Sequence, residues 1–360
     1  MKFNKLNLIS FIIEALLTTK ALTKANYRPV VIWHGMGDSC CNPQSIGGFV
    51  DTLQELLPDT LIYSLNVSDS ESEIVERKNS YFGNVNNHVD YVCSRLHEDD
   101  LYPQLKDGFN ALGFSQGGQF LRAYVERCND PPVYNLITYG AQHNGVSTIP
   151  GCVNDDSNFC ARMKFLVSTN VYGSFVQNNI VQAQYFKSIE NYDEYLEKSI
   201  FLADINNERE IKNPNYKENM LSLNKFVMIK FEDDDMVIPP TSSWFGWIDE
   251  FDELIPFNKT DTYKEDWLGL QTMEKQNQLD FINAPGNHMQ VDLDFFIENV
   301  FHPYLDELID DGDNSNDDDD DDDDHDDNDT DVEEINKTNK NIKSQNINDY
   351  LDSFFIKVQH

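Results

Sequence analysis

The sequence predicts an α/β domain built on a mainly parallel sheet. Short apolar, β-prone runs recur along the chain, each is followed by a glycine-bearing break, and the segments between them repeat apolar residues with a helical period. The first run, Val30 to Trp33 in PVVIWHGMGDS, reads as a buried strand that breaks at Gly35 and Gly37. Apolar positions 46, 49, 50, 53, 56 and 57 then trace one helix face, which Pro58 stops. LIYSLNV supplies a second strand and Asn84 to Leu96 a second helix. GFNALGFSQGGQFLRAYVER holds a third strand into Phe114 and a third helix from Gln116, and Tyr134 to Gly140 repeats the strand-then-glycine pattern.

Beyond Asn158 the pattern changes to longer amphipathic pieces rich in Phe, Tyr, Asn and Gln. Residues 158–223 are expected to form a mostly helical insertion over the top of the sheet, where α/β folds place their ligand sites. The sheet resumes with Phe226 to Ile229, a last strand falls near Leu279 to Ile282, and Asp292 to about Leu308 reads as a closing helix.

Both ends differ from this domain, assigned to residues 26–308. Within residues 1–25, Lys2 and Lys5 precede an apolar run from Leu6 to Leu17 and then small residues, the order of a secretory signal, although Glu14 interrupts the run. Residues 309–360 are dominated by acidic side chains, with eight consecutive aspartates from Asp317 to Asp324 that repel one another and stay solvated. Carboxylates are hard ligands for calcium, but the EF-hand order is absent. Of the 63 acidic residues 17 lie between Asp310 and Glu334, and the remainder of the chain is still acidic, which argues against a nucleic-acid partner held through its phosphates. No other stretch approaches the roughly 20 apolar residues of a transmembrane helix, so none is expected.

Six cysteines, Cys40, Cys41, Cys93, Cys128, Cys152 and Cys160, are an even number in a chain with a secretory-type start. The last four could bridge as Cys93–Cys128 and Cys152–Cys160, but spacing leaves the connectivity open. No pair has C-x2-C spacing with histidines placed to complete a zinc site, so neither metal nor cofactor is expected. Asn66, Asn258, Asn328 and Asn336 each head an N-glycosylation acceptor triplet.

The chemistry centres on Gly113-Phe114-Ser115-Gln116-Gly117, a G-x-S-x-G at a strand-to-helix junction. Such a junction forces a sharp turn that projects the serine hydroxyl above the sheet, with the N–H of the next residue, Gln116, facing a developing oxyanion. A serine needs a base, and the base an orienting acid, in the chain order serine, acid, histidine. His288, in the loop between the last strand and the last helix, fits the base; His302 lies too late and His143 too early. The acid belongs after the strand ending near Phe231, where Asp233, Asp234 and Asp235 stand in a row and pattern alone does not choose among them. A second oxyanion donor should come from the glycine loop after the first strand, with the N–H of Met36 as the candidate.

With these residues in place, the chain resembles the lysosomal palmitoyl-protein thioesterases. VIWHGMGDSCCNPQSIG, ALGFSQGGQFLRAYVERC, YGAQHNGV, SIFLADINNER, FVMIKFEDDDMVIPPTSSWFG and GNHMQVD occur in that family's order, from about Tyr27 to Leu308. The resemblance implies an α/β-hydrolase fold, with Ser115 as nucleophile, Asp234 as acid, His288 as base, and Met36 and Gln116 as oxyanion donors. It also implies disulfides Cys40–Cys41, Cys93–Cys128 and Cys152–Cys160. The implied substrate is an S-acylated protein or peptide whose fatty acyl chain occupies an apolar groove, which we expect the aromatic region around Tyr172 to Phe186 to help form. The implied setting is the lysosome, reached by the secretory route with some release from the cell, and the expected state is a monomer. Two departures stand out: the acidic tail extends past the family domain, and Ile238 replaces an aspartate of the family motif.

Overall fold

The computed structural model describes residues 26–67, 70, 72–150, 160–161 and 170–309. The expected signal segment and acidic tail, with Cys152, Asn328 and Asn336, lie outside the described residues.

The apolar runs become strands β1 (Val30–Trp33), β2 (Ile62–Ser64), β3 (Phe109–Phe114), β4 (Val133–Tyr139) and β5 (Lys225–Phe231). Downstream lie β6 (Trp247–Ile248), β7 (Leu254–Ile255) and β8 (Leu279–Ala284). Six of them form one sheet in the order β2-β1-β3-β4-β5-β8, with every neighbouring pair parallel. The remaining two, β6 and β7, make a small antiparallel ribbon absent from the sequence reading.

Parallel neighbours require crossovers, and the helices that make them cover both faces of the sheet. Alternate residues of β1 therefore enter different cores. Val31 and Trp33 pack in one core with residues of α3 (Val85–Leu96) and α4 (Gln116–Arg127), among them Val89 and Leu121. Val30 and Ile32 pack in the other with Phe49 and Leu53 of α1 (Ile46–Leu56) and Phe296 of the C-terminal helix. Asn84 caps α3 by accepting from the Asn86 N–H. A further helix, α2 (Glu73–Asn79), buries only Glu76 and shows no apolar face.

Between β4 and β5 the described chain forms α5 (Ser174–Asn179), α6 (Val181–Gln184), α7 (Tyr192–Lys198), α8 (Leu202–Ile205) and α9 (Pro214–Leu221). These pieces, four to eight residues long, are shorter than the amphipathic pattern suggested. Extended residues break the run, as at Ile180, where φ is −118° and ψ is 109°. The closing helix also differs in kind: Leu293–Phe296 is α-helical, and Ile297–Leu305 continues as a π-helix around Pro303. Proline has no N–H to donate to the α ladder, and the wider turn accommodates that gap.

Cys93 at the end of α3 is bonded to Cys128 just past α4, which ties together two helices on the same face of the sheet, and Cys40 is bonded to its neighbour Cys41. Cys160 is also disulfide-bonded. Asn258 is exposed in a short 3-10 turn, whereas the half-buried Asn66 already donates its side-chain amide to the Ser70 carbonyl. At the edge of the domain Tyr27 bridges Leu308, and the Ile309 N–H donates to the Asn26 carbonyl at 2.7 Å. Among the described residues, no helix is long and apolar enough to cross a membrane.

Candidate active site

Ser115 stands between β3 and α4 with φ +52° and ψ −125°, a conformation that a residue with a side chain keeps only when its surroundings hold it. Two backbone bonds do so: the Ser115 N–H donates to the Tyr139 carbonyl at 2.7 Å, and the Ser115 carbonyl accepts from the Gly118 N–H at 3.0 Å. The glycines of the motif are explained by close approach. A Cβ on Gly117 would lie 2.3 Å from the Trp33 carbonyl oxygen, and one on Gly113 2.3 Å from the Gly118 Cα. Without them the first turn of α4 could not pack against β1 and β3, and the serine would not stand at the C-terminal edge of the sheet.

His288 arrives from the loop after β8, edge-on to Phe231. Its Nδ1 lies 2.8 Å from Asp234 Oδ2 and its Nε2 3.0 Å from Ser115 Oγ. The side chains of His288 and Asp234 are 7% and 0% exposed, so water competes little for these bonds. A carboxylate only accepts; Nδ1 therefore carries the proton, and Nε2 is left to accept from the serine hydroxyl. The row of three aspartates separates cleanly. Asp234 turns inward, its Oδ1 accepting from the N–H groups of Met236 (3.0 Å) and Val237 (2.9 Å), whereas Asp233 and Asp235 face solvent. The Asp233 N–H donates to the Gly286 carbonyl, which fastens the acid loop to the histidine loop.

The loop after β1 reaches the same point from the other side. A Cβ on Gly35 would sit 3.2 Å from the Ser115 Cβ, and Met36 lines a cleft with Ser115, Val146, Tyr185, Met236 and His288. Gln116 begins α4, so its N–H has no carbonyl four residues back within the helix. Its side chain is fully engaged: Nε2 donates to the Ser80 carbonyl at 3.1 Å, and Oε1 accepts from the Tyr185 hydroxyl at 3.2 Å. The cleft thus offers a hydroxyl with a base on one side and a backbone loop and helix start on the other, edged by apolar side chains. An acyl carbonyl placed there would meet a nucleophile and hydrogen-bond donors together.

The other histidines stand elsewhere. His143 is fully buried, bonded through Nε2 to Thr138 Oγ1 at 3.0 Å and stacked on Phe245; burial, then the nearby Arg122, holds it far below the usual histidine range. His302 is exposed and paired with Asp306. Among the described residues, no three His, Cys, Asp or Glu side chains gather to hold a metal ion.

The sequence reading missed a buried polar network behind the serine. Arg122 on α4 donates to Glu126 at 2.7 Å, to Asn206 at 2.7 Å and to the carbonyls of Ile205 and His143. Lys187 donates to Glu208 at 2.6 Å and to Asn144, Tyr195 donates to the other Glu208 oxygen, and Asn144 donates to the Phe245 carbonyl. Together these bonds tie α4 to the chain between β4 and β5. Scattered polar residues of this kind have no periodicity to mark them.

A family model described as palmitoyl protein thioesterase matches residues 29–288. The chain is 41% identical over 297 residues to the palmitoyl-protein thioesterase 1 of Caenorhabditis elegans, covering 80% of this chain and 97% of that one. It is 34% identical to the palmitoyl-protein thioesterase 3 of Dictyostelium discoideum, covering 83% and 96% of the two chains. It is 29% identical to a Drosophila melanogaster protein named as a lysosomal thioesterase PPT2 homolog, covering 82% and 98%.

Proposed function

Because the chain belongs to the palmitoyl protein thioesterase family, we propose that it removes palmitate and similar long-chain acyl groups from S-acylated cysteines of proteins or peptides, through an acyl-serine intermediate, during lysosomal breakdown. The observation that carries this reading is the run of hydrogen bonds from Asp234 through His288 to Ser115 beside an apolar-edged cleft. Ser115 Oγ attacks the thioester carbonyl as His288 Nε2 takes its proton, and Asp234 stabilises the imidazolium. The N–H groups of Met36 and Gln116 receive the oxyanion; losing one such donor costs about 3–4 kcal/mol of transition-state stabilisation. Collapse of the tetrahedral intermediate expels the cysteine sulfur, which takes the proton from His288 as it leaves and returns the imidazole to its neutral form. The chemistry leans on this transfer less than amide cleavage does, because a thiol has a pKa of about 8.5. Water then gives a proton to His288 and attacks the acyl-serine, Ser115 recovers its proton, and the fatty acid departs.

The cleft supports the choice of an acyl chain. Met36, Val146, Tyr185 and Met236 present apolar surface, and each buried CH2 contributes about 0.8 kcal/mol, so a long chain can anchor the substrate without the peptide being read. Tyr172 is buried with Tyr185 in the same core, in keeping with a role for that region in shaping the groove. A lysosomal setting draws support from the secretory-type start, the disulfides and the printed names of lysosomal relatives. Asn66 and Asn258 are the described acceptors available for glycans on that route.

Hydrolysis of an S-palmitoyl peptide by the wild type and by Ser115→Ala tests the reading. The expected result is turnover abolished in the variant, with long acyl thioesters preferred over short ones and over matched oxygen esters. Equal preference for oxygen esters would make this an esterase, and equal activity of the two proteins would remove Ser115 from the mechanism.

A further inference from the structure

The helix α2 leaves its apolar residues, Ile74 and Val75, exposed, yet it buries a carboxylate beside the reacting centre. Glu76 is 1% exposed, and its Oε1 accepts from the Cys40 N–H at 3.0 Å. The same oxygen lies 3.0 Å from His34 Nε2, out of line for a hydrogen bond. His34 Nδ1 lies 2.8 Å from the Gly35 carbonyl, which can only accept, so Nδ1 is protonated and His34 is pinned to its own loop. One turn on from Glu76, just past the end of α2, Ser80 Oγ accepts from the Gly37 N–H at 2.7 Å and donates to the Arg77 carbonyl. The Ser80 carbonyl in turn accepts from Gln116 Nε2 and from Gln182 Nε2, each at 3.1 Å. Through these bonds one short segment grips the loop just after Met36, at the Gly37 and Cys40 N–H groups, and also the side chain of Gln116.

We propose that Glu76 and Ser80 are positioning residues that hold the two backbone N–H groups of Met36 and Gln116 in register with each other for the oxyanion. This rests on the serine mechanism above and deepens it. The loop after β1 and the start of α4 already touch at Gly35 and Gly117, and a single brace bonded to both also fixes the spacing of their N–H groups before the carbonyl arrives. The brace reaches the loop twice, through the Glu76 carboxyl at the Cys40 N–H and through the Ser80 hydroxyl at the Gly37 N–H.

The test compares wild type, Glu76→Ala, Glu76→Gln and Ser80→Ala, with Ile74→Ser, an exposed change on the same helix, as a control. Each is assayed on an S-palmitoyl peptide and on a p-nitrophenyl acyl ester, and each is labelled with a fluorophosphonate that phosphonylates the active serine. The expected result is a 10- to 100-fold fall in kcat for Glu76→Ala on both substrates, with KM within twofold and labelling slowed in parallel. Donors aimed at an oxyanion act on the transition state and not on the bound ground state. Glu76→Gln, which keeps an acceptor for the Cys40 N–H, should recover part of the loss, and Ser80→Ala should lose less than Glu76→Ala. Ile74→Ser should match the wild type.

Unchanged kcat in both Glu76→Ala and Ser80→Ala would overturn the proposal, as would a rise in KM with kcat preserved. If Glu76→Ala fails to fold, Ser80→Ala and Glu76→Gln decide by the same criteria. Hydrolysis of the ester but not the thioester by the wild type would sink the thioesterase reading and leave the brace measurable on the ester. A wild type that neither turns over nor labels would end both.

Discussion

Ser115 is served from two sides that are built on different principles. On the acid–base side, the proposed mechanism uses two side chains from the loops after β5 and β8, both largely withdrawn from water. On the oxyanion side the proposed donors are backbone N–H groups, with Glu76, Ser80 and the Gln116 amide bonded to the segments that carry them. A side chain can be deleted cleanly, whereas a backbone donor can only be moved. The first side should therefore respond to substitution all at once and the second by degrees.

The largest effects test the acid–base side. His288→Ala should lower kcat on the order of 10⁴- to 10⁶-fold, as should Ser115→Ala, and the double variant should be no worse than either, because the groups act as one unit. Asp234→Asn should cost about 10⁴-fold in kcat by presenting the wrong imidazole tautomer to the serine. Asp233→Asn and Asp235→Asn, on exposed neighbours, should stay within about twofold. If all three aspartates behaved alike, the acid would be a diffuse field and the contrast between the sides would disappear.

A smaller effect is expected on the other side. Gln116→Leu leaves the backbone N–H in place but frees Tyr185 and removes one bond to Ser80, and kcat should fall roughly tenfold with little change in KM, the loss matching about 1.4 kcal/mol. Steady-state kinetics on the palmitoyl peptide would measure it. A 10³-fold loss would place Gln116's side chain among the reacting groups and erase the distinction drawn here.

The smallest kinetic effects belong to the supports behind both sides. Burial pushes the Glu126 carboxyl up to about 7, although Arg122 beside it pulls the other way, and Glu126 Oε2 has no hydrogen-bond partner. The folded state therefore holds a proton that the unfolded chain releases near 4.5. Stability from this group is complete below about 4.5 and is lost as the pH rises through 7. Thermal unfolding from pH 5 to 8 should show wild type losing more Tm than Glu126→Gln, with kcat alike at pH 5; parallel curves would count against a raised carboxyl. Replacing Cys93 and Cys128 together should cost about 2–4 kcal/mol of stability in chemical unfolding and leave kcat unchanged.

The same contrast explains what could be read from the chain alone. The strands were legible because both faces of the sheet are buried and leave continuous apolar runs, and Ser115 and His288 because turn chemistry and chain order single them out. Asp234 needed the family resemblance, since the inward turn that selects it depends on Met236 and Val237 N–H groups that no spacing reveals. Glu76 left no trace, because its helix shows no buried apolar stripe, with Ile74 and Val75 exposed, and its hydrogen-bond partner is a main-chain atom. The chain between β4 and β5 was read as longer helices because its aromatic and amide residues satisfy a helical period, while the extended residues that divide it come from tertiary contacts.

The pairing of Tyr27 with Leu308 lies before β1, at the end of the strands away from Ser115. Joining Asn26 to Ile309 directly by a few residues, and opening the chain instead at the exposed Phe251 of the β6–β7 turn, would reorder the gene without cutting any strand of the main sheet. In such a circular permutant His288 would precede Ser115 in translation while meeting it in the same place, so the order serine, acid, histidine is a record of where the chain was opened and not a requirement of the chemistry.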